Sequence, residues 1–279
     1  MSDQQGEMSF WDHLEELRWT ILRCVIALVV FTIGCFYIIY TFFDEFILAP
    51  ARSEFILFRV LCKVTSSIPF FPDFCDPTYH PEIFNISLTG PFFTHMSSAF
   101  WMAVLMTFPY LMWEVWKFIR PALYPHEKKS VRWVFSFGTI MFFIGCAVGY
   151  FLVFPMTLRF LVTWRLSPEI AEQTSLESYM DTFILMIFIM GVVFELPLLA
   201  WLLSQIGILK RSFFKKYRRH AFVGLLIASA LITPSGDPFT LSVVFLPLYG
   251  LWELSAFFVK KEPKEEDEDE DSIVKHGTG

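Results

Sequence analysis

Six apolar runs divide this chain, separated by charged or proline-rich segments: about 22–43, 95–119, 133–155, 179–204, 220–233 and 239–259. A helix needs about 20 apolar residues to cross a hydrocarbon core of ~30 Å. The run at 220–233, at about 1.5 Å of rise per residue, reaches only ~21 Å. It lies between a basic loop and the turn Pro234-Ser-Gly-Asp237, so it is read as a thin span rather than a buried helix. The pattern predicts an all-α polytopic membrane protein with six transmembrane helices, whose short fifth and sixth spans thin the bilayer locally. The six helices form a single membrane domain over 1–259. Pro109, Pro197 and Pro247 interrupt spans. Each removes a backbone hydrogen bond and bends its helix where neighbours repair the loss. Bent helices suit a curved, cupped bundle, although proline is also common in ordinary membrane packing.

Immediately before the first run, residues 9–23 read SFWDHLEELRWTILR. Phe10, Leu14, Leu17 and Ile21 recur at helical spacing along one face. Asp12, Glu15, Glu16 and Trp19 fall on another, so three acids share a face where they repel one another. A cytoplasmic flank normally favours Lys and Arg. The acidic face is either a solvated start to the helix, anchored by Arg18 and Arg23, or an acceptor for a cationic partner.

Basic residues set the orientation. Lys117, Arg120, Lys128, Lys129 and Arg132 surround one loop, and Lys210, Arg211, Lys215, Lys216, Arg218 and Arg219 fill another. The opposite side has Arg52, Arg59, Lys63, Arg159 and Arg165 spread over longer segments. This bias puts both termini in the cytoplasm. Residues 44–94 then form an outer, periplasmic loop rich in Phe, Pro and Ile, which predicts an ordered cap. Its prolines rule out one continuous helix, although 46–62 has room for a short amphipathic one. Cys62 and Cys75 both lie in this loop, where a disulfide is permitted and two free thiols are the alternative. Cys24, Cys35 and Cys146 fall within spans and read as small apolar residues.

Composition sharpens the class. Of 279 residues, 55% are hydrophobic, above the 45–50% of an ordinary soluble domain. The formal charge is −6, but 260–279 holds eight acids against four lysines and so carries −4 of it. That segment reads as an acidic, disordered cytoplasmic tail, and the charge says little about the body. Residues 1–20 have no basic n-region followed by an apolar h-region, so the first span is expected to act as the insertion signal. No nucleic-acid motif, Cys/His zinc spacing or cofactor-binding loop stands out.

Glu195 is the most informative single residue, in Phe194-Glu-Leu-Pro197 within the fourth run. A carboxylate inside a membrane costs several kcal/mol unless it is paired, protonated or facing water. It is either a functional site or a structural lock on the bent helix. Glu253 lies nearer a cytoplasmic end, and Asp237 is placed to cap the sixth helix. Glu127 is the only acid between Lys117 and Arg132. It is neutralised by Lys128 and Lys129, or it joins Glu16 as a second carboxylate on the same membrane face. Two such carboxylates suit bidentate bonds to guanidinium groups, which Arg makes and Lys does not. Enzyme signals are poor: His13-Leu-Glu-Glu-Leu17 is not a zinc-protease HExxH, and no G-x-S-x-G is present.

Several segments run in the order of one family. They are His13-Leu-Glu-Glu-Leu-Arg18, Ala49-Pro50, Pro91-Phe-Phe-Thr94 and Pro121-Ala-Leu-Tyr-Pro-His-Glu-Lys-Lys129, then Gly149-Tyr-Phe-Leu-Val-Phe-Pro155, Phe194-Glu-Leu-Pro197 and Leu231-Ile-Thr-Pro234. With these, the chain resembles TatC, the multispanning receptor subunit of the twin-arginine protein translocase. The resemblance implies binding of twin-arginine signal peptides on folded cargo, in the bacterial cytoplasmic (inner) membrane, without cofactor or ATP and driven by the proton motive force. It implies that Glu16 and Glu127 contact the arginines, with Arg18 and His126 beside them. Glu195 matches the family's intramembrane glutamate, associated with signal-peptide insertion and with single-span partner subunits of the TatA/TatB type in an oligomeric complex. Pro50, Pro91, Phe92, Tyr150, Pro197, Asp237 and Glu253 fall to partner contacts or structure. The chain departs from the family in a longer outer loop through 55–76, in Lys128-Lys129 where Arg-Arg is usual, and in Leu241 where some members have Gln. A proton-coupled small-solute transporter using Glu195 is the alternative. It is disfavoured by the lack of an internal repeat and by acids outside the membrane core.

Overall fold

The computed structural model describes residues 10–65, 79, 81–119, 128–164, 167, 173–205 and 207–259. The acidic stretch and the first apolar run are one helix, α1 (Phe10–Phe42), 33 residues long. No proline interrupts it, and its apolar residues face outward on several sides: Val25, Ile26, Val30 and Ile33 are about half exposed. In a bilayer those faces meet lipid. α3 (Gly90–Ile119) packs along α1 and carries Pro109 in its interior.

The third run is longer than its expected end at 155. It comprises α4 (Lys128–Val148), a π-helical turn at Gly149–Val153 and α5 (Phe154–Thr163). Pro155 lacks the N–H that would close a regular turn, and the wider π turn lies directly before it. The fourth run breaks in two, α6 (Leu176–Val193) and α7 (Leu196–Gln205). Pro197 is the second residue of α7, where its missing N–H costs little. α4 and α6 approach closely because glycines line their seam. A Cβ at Gly145 would stand 2.5 Å from the Met190 carbonyl oxygen, and one at Gly191 would stand 2.6 Å from Cys146 Sγ. Small residues give membrane helices this proximity. Phe142, Phe154, Met186 and Met190, all fully buried, form the centre of the core.

A short helix α8 (Arg211–Lys216) leads into α9 (Arg218–Ile232) and α10 (Pro238–Phe258). α9, with 15 residues, spans ~22 Å and is the short fifth element expected. α10 corrects the other half of that expectation: its 21 residues reach ~32 Å, a full crossing. Among the described residues, five helical stretches are long and apolar enough to cross a membrane, beginning at Leu14, Gly90, Phe135, Leu176 and Pro238.

Opposite the N-terminal end, short pieces pack together. A π-helical turn (Phe43–Ile47) and a 3-10 turn around Pro50 precede α2 (Ile56–Thr65). The helix thought to fit within 46–62 thus begins ten residues later, because the two irregular turns occupy its first part. β1 (Ile83–Phe84) pairs in parallel with β2 (Thr174–Ser175), which ties the chain before α3 to the chain before α6. Tyr179 Oη donates to the Ile47 carbonyl at 2.6 Å, and Tyr150 Oη donates to that of Phe46 at 2.8 Å. These two hydroxyls fasten the π turn to the helices beneath it.

Candidate functional site

At the N-terminal end, Glu16, Thr20 and Arg23 follow one another on one face of α1, spaced as i, i+4 and i+7. Arg23 turns this face toward α3. Its Nη2 lies 3.0 Å from Glu114 Oε2 and its Nε 3.1 Å from the same oxygen, while Nη2 also donates to Thr20 Oγ1 at 3.1 Å. Tyr110 Oη donates to Glu114 Oε1 at 3.1 Å, and Lys117 Nζ stands 3.9 Å away. The Glu114 carboxylate is therefore buried but well supplied with donors. Two turns out along the same stripe, Glu16 is half-buried, whereas Glu15 and Arg18 are exposed. Glu127 and His126 lie outside the described residues.

Glu114 was not singled out from the sequence, although a signal was there. It is an acid inside an apolar run, one turn from both Tyr110 and Lys117, and at those spacings side chains meet on a helix surface. Arg159 was likewise counted only as a loop cation. It sits in α5, fully buried, with its guanidinium carbon 4.8 Å from the Phe58 ring centre and 4.5 Å from that of Tyr79. Arginine over aromatic faces is a favourable pairing once desolvated. Burial pushes the Tyr79 hydroxyl well above the ordinary tyrosine range, with Arg159 acting in the opposite direction.

Glu195 occupies the break between α6 and α7. Its amide donates to the Val192 carbonyl at 3.1 Å, and its own carbonyl accepts from Leu199 at 3.0 Å, so the backbone stays satisfied across the break. Its side chain is buried, and neither carboxylate oxygen has a hydrogen-bond partner among the described residues. It lies over Gly138 of α4, where a Cβ would stand 3.0 Å from Oε2 and 2.5 Å from Leu198 Cδ2. Glycine there is what lets the acid fit.

The remaining candidates are dispersed. Glu253 of α10 is bound by Arg218 Nε at 2.7 Å, which also donates to Tyr249 Oη at 3.1 Å. Asp237 caps α10, its Oδ2 accepting from the Thr240 amide at 2.7 Å, and Ser235 Oγ bonds its other oxygen. Pro50 and Pro197 are buried, as is Tyr150, whereas Pro91 and Phe92 face outward at the start of α3. Cys62 is disulfide-bonded and Cys75 lies outside the described residues. Cys24, Cys35 and Cys146 are free thiols.

Long apolar helices with broad lipid-facing surfaces make this a multi-pass helical membrane protein. A family model described as Sec-independent protein translocase protein (TatC) matches residues 12–247. A TatC of Blattabacterium is 34% identical over 94% of this chain and 99% of its own length, and that of Escherichia coli K12 is 30% identical over 88% and 86%. A crystal structure of the twin-arginine translocase receptor TatC superposes with a TM-score of 0.67 at 25% identity, covering 88% of this chain and 97% of that one. The chain belongs to the TatC family, and is accordingly a transport protein, a subunit of a Sec-independent protein translocase.

Proposed function

We propose that the chain is the signal-peptide receptor of a twin-arginine translocase, set in the bacterial cytoplasmic membrane with both termini inside. Glu16 and Glu127 each take one guanidinium of the twin-arginine motif, with Arg18 and His126 alongside. The observation that carries this reading is the placement of Glu16. It stands half-buried on a helical extension of the first span, in register with the Arg23–Glu114 contact that holds α1 to α3. A carboxylate on a continuous helix suits the planar fork of arginine, which makes the bidentate pairing that the point charge of lysine does not. The solved relative, a twin-arginine translocase receptor, supports the same reading.

In a second stage, the apolar part of the signal peptide inserts near Glu195, where single-span partner subunits assemble and the proton motive force drives transport. An unpartnered buried carboxylate is costly in hydrocarbon, and a polar group brought by an incoming helix relieves that cost. Residues 44–94 form the outer cap, stapled by Cys62 and Cys75. The exposed Pro91 and Phe92 offer a partner surface, and 260–279 is a cytoplasmic tail. The test is binding of a twin-arginine signal peptide and its twin-lysine counterpart to purified protein, repeated with Glu16→Gln and Glu127→Ala. Arginine-selective binding that either substitution removes is expected. Equal, weak binding of both peptides by all three proteins would overturn the receptor assignment.

A further inference from the structure

The two π-helical turns, Phe43–Ile47 and Gly149–Val153, line one hollow. It measures about 310 Å³ and lies between the α1/α3 pair and the α4/α6 pair. Phe46 and Ile47 come from the first turn, Tyr150 and Phe151 from the second. A π turn widens a helix locally, and such turns gather at functional sites. Here two of them border the same space.

Its walls are apolar, and their hydroxyls are already committed. Tyr150 Oη is bonded to the Phe46 carbonyl, and Ser98 Oγ donates to the Thr94 carbonyl at 2.7 Å. The walls are also stiff: Phe46 stacks on Tyr150, and Trp101 packs on Phe188, each pair with ring centres 4.6 Å apart. The floor at Ile39 and Met180 is buried, while Met106, Phe143 and Phe151 at the rim are about half exposed on the lipid side. A propped, dry space of this kind forfeits dispersion contacts unless something apolar fills it.

Size and chemistry restrict the occupant. A helix about 10–12 Å across would rest at the rim and leave the buried floor at Ile39 and Met180 unfilled. An extended peptide would leave its N–H and C=O groups unbonded. Water requires two to four polar partners, which the walls do not offer. A flexible hydrocarbon chain can thread such an apolar, half-open space without leaving a polar group unbonded. We propose that the hollow holds one acyl chain of a bilayer phospholipid, inserted through the rim at Met106, Phe143 and Phe151. The chain fills the seam between the two helix pairs and makes the lipid part of their packing.

The test is photolabelling of the full chain reconstituted in phosphatidylethanolamine and phosphatidylglycerol vesicles. A trace of phosphatidylcholine carries a diazirine near the end of one acyl chain, and adducts are mapped by mass spectrometry. Labelling at Trp101, Met102 and Ile187 several-fold above that at lipid-facing Val30 and Ile140 is expected. Ala147→Phe and Ile184→Trp, which fill the hollow from α4 and from α6, should each bring it down to the Val30 level. Met106→Ala, which only widens the rim, should leave it high. Even labelling over all these positions would show surface lipid alone and overturn the proposal. So would hollow-specific labelling that persists in whichever filling variant retains the wild-type elution profile.

Discussion

Removing the arginine of the Arg23–Glu114 pair should destabilise the protein more than neutralising the glutamate, because the two partners are unequally buried. The Glu114 side chain is 4% exposed and that of Arg23 is 39% exposed. In Arg23→Leu the carboxylate stays buried with the Tyr110 hydroxyl as its remaining close donor, and Lys117 is 3.9 Å away. Breaking a fully buried pair costs about 3–5 kcal/mol. Partial solvation of Arg23 and approach of Lys117 reduce this to about 2–3 kcal/mol. Glu114→Gln keeps an acceptor for Tyr110 and leaves an arginine that can reach water, for a cost of about 1–2 kcal/mol. For a chain of this size each kcal/mol lowers Tm by about 2–4 °C. The measurement is thermal unfolding in detergent of both single variants and the double variant Arg23→Leu/Glu114→Gln. The double variant should be much closer to Glu114→Gln than the sum predicts, with a coupling of at least about 1 kcal/mol. If Arg23→Leu is no worse than Glu114→Gln, or if the two costs simply add, the pair does not fasten α1 to α3.

Gly138→Ala should lower stability by about 1–3 kcal/mol, because its new methyl meets Leu198 and the Glu195 carboxylate. In thermal unfolding, Leu198→Ala on the same background should recover part of the loss, and no recovery would mean that this contact is not the cause. Asp237→Ala should cost about 1 kcal/mol through loss of the α10 cap. Burial alone would raise the Asp237 carboxyl, but hydrogen bonds from Ser235 and Thr240 outweigh it and hold the group below its ordinary range. A depressed folded value contributes stability above the unfolded value and loses it as pH falls through the folded one. The difference in Tm between Asp237→Ala and wild type should therefore shrink in acid, and a gap that widens there would contradict the capping role.

The spanning helices were legible because they lie in continuous apolar runs, and the short α9 was legible from length alone. Pro197 marked the α6–α7 break, and the Pro234–Asp237 turn marked the start of α10. The pairings within and around 44–94 were not legible. β1 and β2 are two residues each, too short for any period to register, and their pairing spans the whole of α3 to α5. The burial of Arg159 depends on rings from positions 58 and 79, brought to it only by the fold. Glu195 stood out because it breaks an apolar run without a neighbouring cation. Glu114, in a run that ends in Trp and Lys, was averaged into its surroundings, and its partner Arg23 is 91 residues away.

The unbroken length of α1 has a mechanical side. A helix of 33 residues is a rod of ~50 Å, and without proline it has no hinge at which to yield. A pull or twist applied at its acidic tip is not dissipated along the way. It arrives at the far end, where the chain passes into the first π-helical turn, and on the Arg23–Glu114 fastening acting as a fulcrum. The far arm is the longer one, ~29 Å from Arg23 to Phe42 against ~20 Å from Phe10 to Arg23, so a small tilt at the acidic tip becomes a larger displacement beneath the first π-helical turn.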